Sequence, residues 1–277
     1  RPASVTRFTA GLDAAGNPVS LTARVASPAL SIAAGFATEL PKGIDEAAVE
    51  GIADMLYAFP NLRVEYARAE PGIPPWFWRS VGHSQNVYFI EAFIDEIAAA
   101  AGKDPVEFRR SLLSKQPRLR GVLDLAAQKA GWGAPLPQGV HRGVAITTCF
   151  GSFVAQVAEV SMDANGKPRV QRIVAAVDCG RTVNPDVIHR QVEGAIVYGL
   201  SAALHEKITF RNGRVEQSNF DDYPMLRMDE MPKVEVHIVP STEAPGGIGE
   251  PGLPPATPAV INAIFAATGK RVRTLPI

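Results

Sequence analysis

Alternating apolar and polar side chains mark two strands near the start of the chain, Ser4–Leu12 and Pro18–Ser27, joined by the turn Asp13-Ala14-Ala15-Gly16-Asn17-Pro18. The same device returns as Val154–Met162, the turn Asp163-Ala164-Asn165-Gly166-Lys167-Pro168, and Arg169–Val177. Both turns follow D-A-x-G-x-P, and two hairpins about 150 residues apart predict an α+β fold of two related units with antiparallel hairpins and buried helices, although turn chemistry alone selects the same residues. Between the hairpins, Ile44, Ala47, Ala48, Ile52 and Met55 give Ile44–Leu56 a helical period. Leu62–Ala69 has strand character.

In Gln85–Ala101, the residues Val87, Phe89, Ile90, Phe93, Ile94 and Ile97 wrap most of the circumference, which predicts a buried helix with Glu91, Asp95 and Glu96 at solvated or capped positions. Asp104-Pro105 opens a helix over Val106–Leu113, and Gly131 stops another over Arg118–Ala130. The Gly- and Pro-rich stretch Gly131–His141 sets the expected division into units 1–135 and 136–277. Beyond it come a strand over Gly143–Cys149, a helix over Asp186–Ala203 interrupted by Gly194 and Gly199, a hairpin around Asn212-Gly213, and the strand Val234–Val239. Glycine inside a helix costs about 1 kcal/mol against alanine, so a backbone or ligand is expected close to that face. The last helix, Ala259–Ala267, ends at Gly269 with Lys270, Arg271 and Arg273 placed to complement its dipole.

Composition narrows the function classes. Hydrophobic residues make up 46% of the 277 and charged residues 20%, with 28 basic against 28 acidic side chains, so neither disorder nor a nucleic-acid partner is expected. Two cysteines, Cys149 and Cys179, form neither a disulfide framework nor a CxxC site, and no apolar run is long enough to cross a bilayer. The five histidines are scattered, with no HxxxH, and GxSxG and phosphate-loop patterns are absent. The chain starts at Arg1 without Met or signal segment, which suggests a piece of a longer polypeptide.

What remains is one carboxylate, Glu250, in the stretch Pro245–Pro258, among Gly246, Gly247, Gly249 and Gly252. Gly247, Gly249 and Gly252 fit GxGxxG, but Pro251, Pro254, Pro255 and Pro258 delay a helix and no Asp or Glu follows to hold a ribose, so dinucleotide binding is rejected. On spacing alone Glu250 is as well explained by a surface turn as by a site. A second candidate is the aromatic loop Trp76-Phe77-Trp78-Arg79-Ser80-Val81-Gly82-His83, either half-buried packing or the wall of a pocket for a flat substrate. A hydrolase would need a second placed carboxylate, Glu193 or Asp178.

Four segments together carry a resemblance: Phe77–Asn86 (FWRSVGHSQN), Val177–Leu200 (VDCGRTVNPDVIHRQVEGAIVYGL), Glu216–Met228 (EQSNFDDYPMLRM) and Gly246–Arg273 (GGIGEPGLPPATPAVINAIFAATGKRVR). They resemble the molybdenum-binding subunits of the xanthine oxidase family, particularly isoquinoline 1-oxidoreductase beta subunits and similar aldehyde dehydrogenases, over the C-terminal part of such a subunit. The resemblance implies molybdopterin, as its cytosine dinucleotide, in the full-length protein but not in this piece, which lacks the family's other cofactor loops. It implies oxidation of N-heteroaromatics or aldehydes with water as oxygen source, and Glu250 as base toward a molybdenum-bound hydroxyl. Gln191, Arg79 and Gly249 would contact the cofactor. Ser80-Val81 stands where xanthine oxidases carry Gly-Phe, so Trp76 or Trp78, beside Val81, would supply the substrate's stacking surface. A small iron-sulfur subunit and a cytochrome c are the implied partners, and the periplasm the implied compartment, with the cytoplasm as alternative. The other reading is a folded, non-catalytic fragment lacking half its cofactor site.

Overall fold

The computed structural model describes residues 2–277. Strands β1 (Val5–Leu12) and β2 (Pro18–Ser27) form the first hairpin. Its turn is closed by Asp13, whose Oδ1 accepts the N–H groups of Ala15 and Asn17 at 2.9 and 2.7 Å. Two single helical turns follow, α1 (Leu30–Ala33) and α2 (Glu46–Val49), and then β3 (Leu62–Arg68), which lies parallel to β2. The expected helix over Ile44–Leu56 is therefore reduced to one turn: Glu50 leaves helical geometry and Gly51 takes φ 84°, folding the chain back against the next helix.

That helix, α3 (His83–Ala100), is followed by α4 (Pro105–Leu112) and α5 (Pro117–Ala130). Asp104 caps α4 through the N–H groups of Val106 and Glu107, and Gly131 ends α5 in the left-handed region. Strands β4 (Val140–Cys149), β5 (Ser152–Met162) and β6 (Pro168–Asp178) then run antiparallel. The β5–β6 turn repeats the first, with Asp163 Oδ1 accepting from Asn165 and Lys167, both at 2.8 Å. After α6 (Pro185–Leu204) the expected hairpin shrinks to β7 (Phe210–Arg211) and β8 (Arg214–Val215). Strand β9 (Lys233–Ile238) joins β6 in parallel, giving the sheet order β4-β5-β6-β9. The two larger sheets thus each have an antiparallel hairpin extended by a parallel strand.

The last helix, α7 (Ala256–Thr268), starts three residues earlier than expected because Pro258 falls in its first turn, where a missing N–H leaves no intrahelical bond unmade. The larger sheet is buried on both faces. Val144, Ile146, Ala155, Val157, Val174 and Ala176 pack toward α5 and the first unit, while Ala145, Val154, Ala158, Ile173 and Val177 pack toward α6 and α7. One hydrophobic core therefore runs from Leu21 and Val25 on β2 to Val174 and Ala176 on β6.

Two expectations about charge are overturned. Glu91 and Asp95 are not solvated: they are 1% and 6% exposed. Glu91 accepts from Arg109 Nε (2.9 Å), the Tyr57 hydroxyl (2.6 Å) and the Ile146 N–H (3.0 Å). A fully buried arginine needs such a carboxylate, and the helical period shows only that position 91 lies on a face, not what α4 places opposite. Burial and then the Glu91 charge push the Tyr57 hydroxyl well above its usual pKa, so it stays a donor. Nor do Arg271 and Arg273 serve the dipole of α7; they reach across to Asp95 (2.7 Å) and Glu96 (2.8 Å) on α3.

Glu91→Ala strands the Arg109 cation in the core and is expected to cost about 3–5 kcal/mol of unfolding free energy, measured by urea titration. Replacing Glu91 and Arg109 together by leucine and methionine should cost clearly less than the single change.

Candidate functional site

The stretch around Glu250 leaves β9 and is pinned to three neighbours before it enters α7. The Gly246 N–H donates to Cys179 O after β6 (2.9 Å), and the Gly247 N–H donates to Phe150 O in the β4–β5 turn (2.7 Å). Ser152 Oγ donates to Gly247 O (2.5 Å), and Gln156 Nε2 on β5 to Gly252 O (2.6 Å). Such a loop has little freedom, and Glu250 in it is only partly exposed.

The aromatic loop closes on Glu250 from the other side. Its tight turn is fastened by the Val81 N–H on Trp78 O (2.8 Å), with Ser80 at φ 73° and Val81 at φ 47°. Two successive non-glycine residues in the left-handed region, one of them β-branched, cost of order 1–3 kcal/mol each. That conformation points the Ser80 N–H at Glu250 Oε1 (2.8 Å) and Ser80 Oγ at Glu250 O (2.9 Å). Arg79 Nε donates to Gly249 O (2.9 Å), a bond its Nη2 shares, while Nη2 also reaches Gln191 Oε1 at 3.1 Å and Gln191 O at 3.3 Å. Burial lowers the Arg79 pKa against the opposing charge of Glu250, and the guanidinium remains a cation at neutral pH.

Helix α6 supplies the third wall, with Gln191, Gly194 and Tyr198 at spacings that share one face. The expected close approach is present: a Cβ on Gly199 would lie 3.2 Å from Leu253 O, and one on Gly194 would lie 4.0 Å from Arg79 Nη1. Trp78 stacks on Tyr198 at 4.9 Å between centroids, and the Arg79 guanidinium lies 5.9 Å from the same ring.

Arg79, Gln191, Gly249, Glu250 and Trp78 are thus brought into one site, and Val81 shapes its loop. Trp76 turns elsewhere: it is 61% exposed and leans on Phe77, which stacks on Phe36 at 5.3 Å. Asp178 is no partner for Glu250, being held by both Arg118 Nε and Nη2 (2.8 and 2.7 Å) and by the Gly180 N–H. Four residues that no motif singles out also contribute. Ser80 meets the carboxylate through its backbone N–H, which leaves no signal in the sequence, and adds its hydroxyl on Glu250 O. Gln156 is legible as a lone polar residue inside the apolar run of β5, Tyr198 as the aromatic two turns after Gln191, and Ser152 not at all.

Behind the loop, His83 opens α3, 5% exposed, with Nδ1 3.4 Å from Glu50 Oε1 and Nε2 3.5 Å from Asp54 Oδ2. Nδ1 lacks hydrogen-bond alignment, so its contact with Glu50 is one of charge. Burial alone would lower the His83 pKa; Asp54, the Cys149 thiol and Glu50 outweigh it and raise the imidazole to about 12. Burial pushes the Cys149 thiol up, so it stays protonated beside this cation.

Among the described residues no cluster of three or more His, Cys, Asp or Glu side chains could hold a metal ion. The hydrogen-bonding groups that do converge are a side-chain amide, a guanidinium that donates to it, and the accepting carbonyl of Gly249, whose Cβ direction is open. They suit a hydrogen-bonding organic group.

Comparison with known proteins agrees with that set of groups. Residues 1–113 and 121–232 each match a family described as molybdopterin cofactor-binding domain. The chain is 34% identical over 225 residues to the beta subunit of isoquinoline 1-oxidoreductase from Brevundimonas diminuta, covering 80% of this chain and 29% of that protein. It is also 34% identical to the membrane-bound aldehyde dehydrogenase of Gluconacetobacter polyoxogenes, covering 85% and 33%, and to a nicotinate dehydrogenase subunit of Pseudomonas putida, covering 80% and 20%. The chain therefore spans a third or less of these relatives. Its fold is that of the quinoline 2-oxidoreductase of Pseudomonas putida 86, with a TM-score of 0.83 at 12% identity over 99% of this chain and 61% of that one. The aldehyde oxidoreductase of Desulfovibrio gigas gives 0.79 at 14% identity, over 100% and 48%.

A histidine with a raised folded pKa stabilises fully below its unfolded value of about 6.5, and that stabilisation is lost as pH rises through its folded value. For His83, with a folded value of about 12, the destabilisation caused by His83→Gln should therefore be larger at pH 6 than at pH 10, measured by thermal denaturation of both proteins.

Proposed function

Because the chain belongs to the molybdopterin cofactor-binding domains of the xanthine oxidase family, we propose that it is part of a molybdenum hydroxylase subunit that oxidises N-heteroaromatic compounds or aldehydes, with Glu250 as the base. The observation that carries this reading is the convergence of three distant segments beside one carboxylate: the Ser80 N–H on Glu250 Oε1, Arg79 on the neighbouring Gly249 O, and Arg79 on Gln191 Oε1. When bound, the cofactor supplies the two-electron redox chemistry. This chain's residues hold and orient. Gln191 offers its side-chain amide, Arg79 its charge, and Gly249 a backbone that no side chain shields. With the Ser80 N–H engaging Oε1, Glu250 keeps Oε2 to take the proton from the water-derived oxygen as that oxygen adds to the substrate carbon.

The stacked Trp78 and Tyr198 rings support a flat substrate, with Val81 shaping the loop beside them and Trp76, turned toward Phe77, outside that surface. The unit 1–135 contributes Arg79 and Ser80 and the unit 136–277 contributes Gln191 and Glu250, so that the site lies between the two. Electrons would leave to a small iron-sulfur subunit and onward to a cytochrome c, in the periplasm or alternatively the cytoplasm. The relatives from Brevundimonas diminuta and Pseudomonas putida are themselves named as subunits, which supports a partner of this kind. Among the described residues no helix is long and apolar enough to cross a membrane. The cytosine dinucleotide form of molybdopterin belongs to the same reading.

In the full-length, cofactor-loaded enzyme, Glu250→Gln should lower turnover by roughly two orders of magnitude or more while molybdenum content stays unchanged; near-normal turnover would refute the assignment. The purified 277-residue chain should hold far less than one molybdenum per molecule by metal analysis, because the match covers only 29% and 33% of its relatives. A stoichiometric metal would contradict the fragment reading.

A further inference from the structure

A charged cluster sits behind the Arg79 loop and touches both anchors of the Glu250 stretch. Glu50 Oε1 accepts the Gly82 N–H at 2.6 Å and lies 3.4 Å from His83 Nδ1. Asp54 faces the other ring nitrogen at 3.5 Å and is itself fixed by the Gly51 N–H at 2.5 Å. From β4 the Cys149 thiol stands beside His83, and the Phe150 ring lies 5.8 Å from the imidazole. The segment carrying Glu50 is bound to α3 a second time, by Asn86 Nδ2 on Ala48 O and Glu50 O, both at 2.9 Å. Gly82 is the point of closest approach: a Cβ there would overlap Ala47 O.

Two short paths lead from this cluster to the carboxylate. One runs from Glu50 through the Gly82 N–H to Ser80, whose N–H meets Glu250 Oε1. The other runs from His83 to the Phe150 ring beside it and on to the Phe150 carbonyl, which holds the Gly247 N–H. Between them lie Ser80 and Val81, both held at positive φ, a conformation that persists only where its surroundings fix it. A loop free to relax would turn the Ser80 N–H away from Glu250.

We propose that Glu50 and His83 are positioning residues for Glu250: together they fix Gly82 and the start of α3, and thereby hold Ser80 and Val81 at positive φ with the Ser80 N–H on Glu250 Oε1. The proposal rests on the reading of Glu250 as the base. Side-chain burial distinguishes the members of the cluster, because Glu50 and His83 are 23% and 5% exposed whereas Asp54, at 54%, faces water and serves to orient the ring.

The test compares Glu50→Ala with Glu50→Gln in the full-length, cofactor-loaded enzyme, reading kcat, KM, molybdenum content and hydrogen exchange of the amides of residues 80–82. Glu50→Ala should lower kcat by roughly tenfold or more with KM changed less than about threefold, and should speed exchange at residues 80–82 at unchanged molybdenum content. Glu50→Gln keeps an oxygen for the Gly82 N–H and should recover most of the protection and of kcat. Wild-type exchange and kcat in Glu50→Ala would overturn the proposal, as would an effect on KM alone or a failure of glutamine to rescue. If Glu50→Ala does not accumulate as loaded enzyme, His83→Gln gives the same readings: faster exchange with lower kcat supports the proposal, and protected amides overturn it. Glu250→Gln separates the two claims. Turnover retained there, with amides 80–82 exposed in Glu50→Ala, removes the base reading and leaves the clamp standing; the reverse pattern removes the clamp alone.

Discussion

Glu91 is the carboxylate on which the rest of the structure hangs. It lies on α3, yet its side chain and carbonyl bind α4 through Arg109, the segment after α2 through Tyr57, and β4 through the Ile146 N–H. The Asn262 side chain on α7 reaches the Glu91 carbonyl at 3.4 Å and Val144 O on β4 at 3.0 Å. A neighbouring layer, Asp95 with Arg271, ties the chain's last segment to the same helix. The apolar groups around this network would pack in many arrangements, but a buried cation and carboxylate tolerate few, because each lost bond leaves a charge without solvent. In this protein, that polar node sets how the first sheet, the helices and the second sheet meet, and thereby where His83 starts α3 and where the Arg79 loop stands.

Local chemistry made much of the fold legible. The two D-A-x-G-x-P turns, the Asp104 cap and the Gly131 stop are short-range signals that act within a few residues, and each appears as expected. What the chain hid was long-range. Nothing near Leu62 or Lys233 says that β3 and β9 pair in parallel with β2 and β6, since a parallel partner is chosen by the crossover and not by the strand. Ile44–Leu56 shows the opposite failure, a helical period whose apolar positions are satisfied by a folded-back coil with Ile52 in the core. The charges of α3 misled for a related reason: periodicity assigns faces, and only the partner decides whether a glutamate on a face meets water or arginine.

The candidate site divides along the same line. Glu250, Arg79 and Gln191 carry chemistry in their side chains, so sequence motifs could single them out. Ser80 offers the carboxylate an N–H that any residue type other than proline would supply, besides its hydroxyl on Glu250 O; that N–H is aimed by φ 73°, which the sequence does not encode in a recognisable way. Trp76 and Trp78 are two residues apart, yet one ring lies on Tyr198 and the other leans toward Phe77. An aromatic cluster in sequence is thus not one surface in space.

The bonds that assemble the site join residues far apart along the chain: Ser80 and Glu250 are separated by 170 positions, and Arg79 and Gln191 by 112. Closing loops of that size is entropically costly and comes late, after local helices and hairpins have formed. A partly folded chain holding only its first sheet and α3 has the Arg79 turn but no carboxylate opposite it. The candidate site is therefore a record of completed folding, present only when its distant segments have docked on the same core.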